Sequence, residues 1–276
     1  MRTQCNVCPH HCKIEEGHLG LCRARKNVNN KIICDNYGKL TSIALDPIEK
    51  KPLYHFHPKS KILSVGSYGC NLGCPFCQNH DISMVGSRAI ESTYVTCEDL
   101  VEKALYYSKT MGNIGLAYTY NEPLIGYEFV RDCARLGREY GLKNVLVTNG
   151  YICEEPLDEL LPLIDGYNID LKGFTEEYYS KLRGDLATVK RTIEIASRHS
   201  HVEVTTLIVP GENDSDEEMM ALSSWLAHIN PDIPLHISRF FPRCKMDDKE
   251  ATSVKQIYHL ADIARTNLKY VYEGNC

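Results

Sequence analysis

The sequence predicts an α/β fold in which six strand–helix units form a partial (β/α)6, TIM-like barrel, preceded by a small cysteine-rich cap. From residue 61 onward, apolar strand-like runs alternate with longer helical patterns, which is the order of parallel βαβ units. Each unit takes about thirty residues, so roughly 185 residues hold six units, fewer than the eight of a closed barrel. Polar residues recur at the predicted strand ends, where parallel barrels carry their reactive groups.

The alternation predicts six strands, near residues 61–67, 114–120, 144–148, 166–171, 202–209 and 234–240. Helices are predicted between them, near residues 97–111, 124–141, 155–163, 185–199 and 215–229. A last helix near 251–267 and the apolar segment Leu268–Tyr272 complete the predicted domain. Helices and strands of these lengths are typical of a globular α/β domain.

Composition excludes several classes of protein. Hydrophobic residues make up 43% of the 276 residues and charged residues 24%, as is ordinary for a globular chain. The net charge of −5 is spread along the sequence, without the basic cluster expected of a nucleic-acid or anionic-membrane protein. The N-terminus lacks the apolar core of a signal peptide, and no apolar run reaches membrane-spanning length. We therefore expect a cytoplasmic protein with no nucleic-acid or membrane partner, whose thirteen cysteines are metal ligands or free thiols.

Three segments are predicted: a metal- or cluster-binding cap at residues 1–35, an extended connector at 36–60, and the barrel with its C-terminal helix at 61–276. Prolines in the connector prevent a continuous helix there. The cap has too few apolar residues to bury a core, and segments this short usually need a metal or a disulfide. Its cysteines have a C-x2-C-x3-C-x9-C spacing, at Cys5, Cys8, Cys12 and Cys22. Zinc and an auxiliary iron–sulfur cluster both fit four thiolates, and spacing alone does not choose between them.

A second group of cysteines follows the first barrel strand. Cys70, Cys74 and Cys77 have a C-x3-C-x2-C spacing just after the apolar run Ile62–Val65. Thiolates are the usual ligands of a four-iron cluster, which takes four of them, so three leave one iron open to an outside ligand. The alternatives are a zinc knuckle and three unrelated buried cysteines. Zinc sites usually draw four ligands from two separated pairs, and no matching pair or nearby cysteine follows Cys77.

The triplet resembles the radical SAM superfamily, whose pattern is C-x3-C-x-aromatic-C, and Phe76 fills the aromatic position. In that family the open iron binds the amino and carboxylate groups of S-adenosylmethionine (SAM). The resemblance therefore implies a radical SAM barrel, a 4Fe-4S cluster held by Cys70, Cys74 and Cys77, and SAM as cofactors.

Polar residues at the later strand ends resemble segments of the glycyl-radical-enzyme activases, the pyruvate formate-lyase activating enzyme-like proteins. The resemblance implies cofactor binding by these side chains: Asn121, Glu122, Thr148, Asn149, Asp170, Lys172 and His236. The Tyr-Asn-Glu-Pro segment occupies the place of the activases' Gly-Gly-Glu-Pro, which holds the methionyl amino group. The Thr-Asn-Gly and Asp-Leu-Lys segments match those that position the ribose and carboxylate of the cofactor. No catalytic residue is assigned.

A further resemblance covers nearly the whole chain and implies partner proteins. The cap cysteines, the segment Asp46–Phe56 and the Cys-Gln-Asn that begins at Cys77 resemble the AmmeMemoRadiSam-system radical SAM enzymes. That resemblance implies association with AMMECR1-type or MEMO-type proteins.

Three functions follow as hypotheses. The first is reductive cleavage of SAM to a 5′-deoxyadenosyl radical that abstracts hydrogen from a protein, as an activase does, with flavodoxin or ferredoxin as the reductant. The second is the same radical chemistry on a small molecule. The third is a non-enzymatic iron–sulfur protein that transfers electrons, which would not cleave SAM.

Overall fold

The structure, a computed structural model, describes all residues from 1 to 276. The cap consists of two antiparallel strand pairs, β1 (Arg2–Gln4) with β2 (Lys13–Glu15) and β3 (Arg25–Val28) with β4 (Lys31–Cys34). These strands are too short to form a sheet of stable size on their own. The cap is therefore stabilised by its contacts with the barrel.

The connector enters the main sheet, which the sequence did not indicate. Its strand β6 (Ser42–Pro47) pairs antiparallel with β7 (Lys61–Gly66), the first strand of the barrel. Its short strand β5 (Lys39–Leu40) pairs with β8 (Thr93–Tyr94). Pro47 is the last residue of β6, at the edge of the sheet, where a proline removes no ladder hydrogen bond. A 3₁₀ turn, Ile48–Lys50, follows it.

The remaining barrel strands are β9 (Asn113–Tyr118), β10 (Lys143–Thr148), β11 (Gly166–Asp170), β12 (His201–Ile208), β13 (Leu235–Arg239) and β14 (Val271–Gly274). The helices are α1 (His80–Ser83), α2 (Cys97–Met111), α3 (Tyr127–Glu139), α4 (Glu154–Leu160), α5 (Glu176–Lys181), α6 (Leu186–Ser197), α7 (Asp216–Ile229) and α8 (Val254–Ala264). None of these helices has the length and apolar character needed to cross a membrane.

The sheet confirms the predicted fold class. Its eight strands are ordered β14-β13-β12-β11-β10-β9-β7-β6, and all neighbours are parallel except β6 and β7. The six predicted strands lie side by side in sequence order, as in a singly wound (β/α) barrel. Helix α2 has the predicted bounds because both ends carry strong signals. Thr96 and Asp99 form a capping box, and Gly112 ends the helix in the left-handed conformation.

Three predicted elements begin later than expected, among them the last helix, which starts at Val254 after its N-cap Ser253. The helix predicted near 124–141 starts with a 3₁₀ turn, Pro123–Gly126, because the Glu122 carboxylate accepts a hydrogen bond from the Leu124 N–H. The predicted closing segment, residues 268–272, begins in the last turn that follows α8. The N–H of Leu268 still bonds to the carbonyl of Ala264, and the strand begins only at Val271.

The helices cover one face of the sheet, and the connector covers part of the other. Leu63, Leu116 and Leu146 belong to the large core beneath the helices. Their chain neighbours Ile62, Ala117 and Val145 point to the opposite face, since side chains alternate along a strand. There they pack against three connector side chains, Ile48, Leu53 and Phe56. The connector thus fills one end of the barrel interior and leaves the space at the strands' C-terminal ends open.

Candidate cofactor and cluster site

One cavity at the C-terminal ends of the strands collects every barrel residue that the sequence assigned to a site. It has a volume of about 580 Å³, within the range of small-molecule sites. Its lining includes Cys70, Cys74, Cys77, Asn121, Glu122, Thr148, Asn149, Asp170, Lys172 and His236. Residues from the ends of β9, β10 and β11, from β13 and from the loop after β7 therefore converge on one space, as the barrel topology predicts.

The cysteine triplet lies on the loop that leaves β7. Cys74 is buried, and Cys70 and Cys77 are partly buried. Burial raises the pKa of all three thiols, that of Cys74 to about 12, while the nearby Lys172 opposes the rise at Cys74. A bound metal would offset this cost, because ligation deprotonates a thiol outright. The loop therefore holds three partly or fully buried thiols at one side of a polar cavity.

The three thiols are not gathered around a position for a single metal ion. Nowhere in the chain do three Cys, His, Asp or Glu side chains come close enough to hold one metal ion. In a cluster each thiolate binds a different iron, so the thiols need not converge on one point. Two N–H groups also approach the Cys70 sulfur, from Leu72 at 3.4 Å and Asn149 at 3.6 Å. The residues present thus fit a 4Fe-4S cluster, and hydrogen bonds to its sulfur ligands would tune its potential.

Glu122 organises the cavity wall next to the triplet. Its buried carboxylate accepts hydrogen bonds from Thr148 Oγ1 at 2.6 Å, from Asn149 N at 2.8 Å and from Leu124 N at 3.0 Å. Burial raises the pKa of Glu122 to about 7, although these three hydrogen bonds act in the opposite direction. The Glu122 side chain therefore fixes the start of the Thr-Asn-Gly turn.

Asn149 connects that turn to the cysteine loop. Its amide donates to Asn71 Oδ1 at 2.9 Å, and its own oxygen accepts from Tyr151 N at 2.8 Å. Asn71 in turn donates to the Tyr151 carbonyl at 2.6 Å. Because Asn71 lies between two cysteines of the triplet, these hydrogen bonds set the position of the cysteine loop relative to β10. The sequence did not single out Asn71, since an isolated asparagine in a loop carries no periodic or spacing signal.

Asp170 and Lys172 form an ion pair at the wall of the cavity, 2.6 Å between oxygen and nitrogen. The two residues are two apart at the end of β11, so they face the same side. Burial alone would lower the pKa of Lys172, but Asp170 and the Cys74 thiol raise it well above its ordinary value. Lys172 thus stays a cation beside the cysteine triplet.

The wall that contains His236 rests on a buried carboxylate that the sequence did not indicate. Glu203 accepts hydrogen bonds from His236 Nε2 at 2.7 Å and His201 Nε2 at 2.9 Å. It also accepts from the backbone N–H groups of Tyr54 at 3.0 Å and His55 at 2.7 Å. His236 lines the cavity as predicted, yet its Nε2 is engaged by Glu203. Alternation along β12 would have placed Glu203 inside the barrel, but only the fold shows that it anchors the connector.

Connector residues line the same cavity, including Lys51 and Tyr54. Lys51 is buried, donates to Asp46 at 2.8 Å, and lies 4.6 Å above the ring of Tyr120. Burial alone would raise the pKa of Asp46, but hydrogen bonds from Lys51 and Tyr120 hold it at about 2. No sequence signal could have placed these residues here, because the path of the connector depends on tertiary packing alone.

The four cap cysteines line a second, small cavity together with His10, His11 and Arg25. Cys5, Cys8 and Cys22 are buried, and Cys12 is partly buried. The structure thus brings the predicted cap set to one place, separate from the barrel cavity. No acidic side chain lines this second cavity.

Comparisons with known proteins bear on the whole arrangement. The chain is 40% identical over 277 aligned positions to an uncharacterised protein of Methanocaldococcus jannaschii, covering 99% of this chain and 81% of that one. It is 30% identical over 166 positions to the pyruvate formate-lyase 1-activating enzyme of Escherichia coli K12, covering 57% of this chain and 65% of that enzyme. The aligned part therefore spans slightly less than two thirds of the activating enzyme.

Solved structures show the same fold. Streptococcus suis SuiB bound to S-adenosylmethionine matches with a TM-score of 0.60 at 14% identity, over 78% of this chain and 52% of that one. A domain of the pyruvate-formate lyase-activating enzyme of Bacteroides vulgatus matches with a TM-score of 0.50 at 19% identity, over 58% and 99%. The resemblance to the AmmeMemoRadiSam-system enzymes stays a prediction.

A family model described as the radical SAM superfamily matches residues 64–223, more than half of the chain. The matched range contains the cysteine triplet and the ends of five consecutive strands. The chain belongs to the radical SAM superfamily, whose members use a 4Fe-4S cluster and S-adenosylmethionine.

Proposed function

We propose that this protein is a radical SAM enzyme that abstracts a hydrogen atom from a protein substrate, as the activating enzymes do. The observation that carries the proposal is the single cavity that contains three thiols and the polar ends of the neighbouring strands. Cys70, Cys74 and Cys77 would hold the cluster, and the polar residues would hold SAM beside it. A reduced cluster held there would supply the one electron that cleaves SAM to methionine and a 5′-deoxyadenosyl radical, and that radical would take a hydrogen atom from the substrate to give 5′-deoxyadenosine.

The protein's own residues position the cofactor. Glu122 fixes Thr148 and Asn149 through its carboxylate, which keeps the turn after β10 at a constant distance from the cysteine loop. Lys172, a cation held by Asp170, suits the carboxylate of SAM. Residues whose rotamers are locked by neighbours in this way can hold a reacting group within a fraction of an ångström.

Relatives support a protein substrate. The E. coli relative is named as the activating enzyme of pyruvate formate-lyase, and its name states that its target is a protein. A low-potential one-electron donor of the flavodoxin or ferredoxin type would reduce the cluster. An AMMECR1-type or MEMO-type protein is a candidate partner on the strength of the sequence resemblance.

One observation favours a small-molecule substrate as the second candidate. The connector contributes Lys51 and Tyr54 to the lining of the cavity, and the ring of Tyr54 packs on that of His236. The lining thus includes an ammonium paired with Asp46, a phenol and an imidazole. Polar groups fixed in a cavity of this kind suit a small polar molecule better than a protein loop.

Transfer of deuterium distinguishes the two candidates. An extract of the native host grown in deuterated medium is divided by size into macromolecular and small-molecule fractions. Each fraction is incubated without oxygen with the reconstituted enzyme, SAM and reductant, and the mass of the 5′-deoxyadenosine is measured. Our proposal predicts deuterium in 5′-deoxyadenosine from the macromolecular fraction, lost when that fraction is treated with protease.

The result with the small-molecule fraction tests the second candidate, a small-molecule substrate. Deuterium that comes only from small molecules would replace the activase proposal with the second candidate. A Cys74→Ala variant is expected to give no 5′-deoxyadenosine with either fraction. A Cys153→Ala variant is the matched control, because it also removes one thiol but lies outside the cavity, and it is expected to behave like the wild type.

A further inference from the structure

We infer that the cap binds a second iron–sulfur cluster, which passes electrons to the cluster in the barrel. The second cluster is inferred from the cap residues alone, whereas the transfer of electrons from it to the barrel cluster also rests on the proposed function. Three observations carry the inference: the enclosed set of cap thiols, an unpaired buried donor beside them, and direct contacts between the cap and both chain neighbours of Cys70.

The cap cavity has the chemistry of a thiolate-bound cluster. Cys5, Cys8, Cys12 and Cys22 all line it, and no carboxylate does. Arg25, which is only 2% exposed, lines it as well. Terminal nitrogens of Arg25 donate to the carboxylate of Glu128, but its Nε–H is buried and has no acceptor in the protein.

An orphaned buried donor of this kind is costly and calls for a partner. A sulfur of a bound cluster would supply the acceptor, and its negative charge would match the guanidinium. Thiolate sulfurs on a zinc ion would accept this hydrogen bond as well. The unpaired Nε–H of Arg25 therefore favours an anionic metal–thiolate centre in the cap.

The arrangement of the cap thiols favours a cluster over zinc. A tetrahedral zinc ion needs four ligands gathered around one point. No three Cys, His, Asp or Glu side chains in the chain are grouped so that they could hold a single metal ion. The same holds for the barrel triplet, where the superfamily to which the chain belongs uses a cluster. The cap thiols thus share with the barrel triplet an arrangement that does not form a single-ion site.

The two metal-binding groups are joined by the tripeptide Gly69–Asn71, which has Cys70 at its centre. On one side, the carbonyl oxygen of Cys22 packs so closely on Gly69 that a Cβ there would lie within 2.4 Å of it. Gly69 also has a φ of 87°, a conformation that glycine adopts without strain. On the other side, His10 Nε2 donates to the carbonyl of Asn71 at 2.7 Å.

These contacts provide a short route for electrons. A reduced one-electron carrier of the ferredoxin or flavodoxin class would give one electron to the cap cluster and leave oxidised by one electron. The cap cluster would pass that electron through the Gly69–Asn71 tripeptide to the barrel cluster and return to its oxidised state. Each electron that enters at the cap therefore leaves at the barrel, and the cap centre undergoes no net change.

Metal analysis tests the cap centre. Iron, sulfide and zinc per chain are measured on anaerobically purified wild type and on a Cys70→Ala, Cys74→Ala, Cys77→Ala triple variant, which leaves the cap intact. We expect about eight irons in the wild type and about four in the triple variant, since each cluster contains four. A Cys34→Ala variant, which removes a cap thiol outside the cavity, should keep the wild-type content.

The outcomes separate this inference from the proposed function. Loss of all iron in the triple variant, or one zinc that remains in it, would overturn the cap cluster and leave the proposed function standing. Iron that is undiminished in the triple variant would overturn the proposed function instead. The proposed function would also be overturned if the wild type contained no more than four irons and the triple variant kept all of them in its cap.

A kinetic measurement tests the transfer of electrons. The bleaching of the barrel cluster is followed by stopped flow in a Cys8→Ala, Cys12→Ala variant, with reduced ferredoxin or with dithionite as the donor. We expect reduction by ferredoxin to slow at least tenfold, while dithionite, a small reductant that can enter the barrel cavity, still reduces the cluster. Retention of about four irons by the variant shows that the barrel domain is folded. Reduction by ferredoxin at the wild-type rate would overturn the electron route.

Discussion

Replacing Glu203 with glutamine tests how the connector is held inside the barrel. The Glu203 side chain is fully buried and accepts hydrogen bonds from two imidazoles and from the N–H groups of Tyr54 and His55. In a Glu203→Gln variant the amide nitrogen would face donors, and the charge that attracts the imidazoles would be lost. The first effect leaves a buried donor without an acceptor, which costs the full desolvation of that group, and the second weakens the remaining hydrogen bonds.

The size of the effect follows from the pKa of Glu203. Burial alone would raise this pKa, but the hydrogen bonds from His201, His236 and the two connector N–H groups lower it from 4.5 to about 2. That difference corresponds to about 3 kcal/mol of folding free energy. Because the folded-state pKa is lowered, the contribution is complete above about pH 4.5 and is lost as the pH falls toward 2.

Thermal unfolding of the anaerobic holoenzyme measures the effect. A loss of about 3 kcal/mol would lower the melting temperature of Glu203→Gln by roughly 6–12 °C at pH 7, and the difference from wild type should shrink below pH 4.5. Lys269→Ala is the control, since its ion pair with Asp232 is exposed and should contribute less than about 1 kcal/mol. A Glu203→Gln protein that melts within 2 °C of wild type would refute the reasoning.

Three further substitutions test other parts of the structure. Glu122→Gln should weaken SAM binding in equilibrium dialysis by roughly tenfold, because the turn that begins at Thr148 loses its carboxylate acceptor, and unchanged affinity would contradict this role. Tyr167→Phe should raise stability by about 1 kcal/mol, because the buried hydroxyl has no partner, and a lower melting temperature would show that it has one. Arg25→Ala should cost about 3 kcal/mol by breaking the bidentate pair with Glu128. Limited proteolysis should then release the cap, whereas a resistant cap would refute that estimate.

The barrel could be predicted because its signals are local. Strand and helix periodicities persist for whole elements, and caps such as Thr96 and Gly112 fix the ends of α2. The antiparallel edge strand β6 could not be predicted, because its pairing with β7 depends on the path of the connector between them. The filling of the barrel interior by Ile48, Leu53 and Phe56 was hidden for the same reason.

The residues of the site also fall into those that local sequence signals identify and those that only tertiary packing brings together. Residues that follow strands, such as Glu122 and Asp170, could be selected because parallel topology brings strand ends together whatever the loops do. Glu203 and Lys51 could not, since one lies within a strand and the other in the connector, and only tertiary packing places Lys51 in the lining and Glu203 against His236. The cap cysteines were selected by spacing, but their nearness to Cys70 depends on how the cap docks.

Cleavage of SAM tests the central claim most directly. Reconstituted protein is incubated without oxygen with SAM and dithionite, and 5′-deoxyadenosine and methionine are quantified for the wild type and for the Cys70→Ala, Cys74→Ala, Cys77→Ala variant. We expect both products from the wild type in equal amounts and none above background from the variant. A wild type that binds iron and sulfide yet leaves SAM intact would instead indicate an electron-transfer protein, and cleavage that survives the loss of all three cysteines would contradict the assigned cluster site.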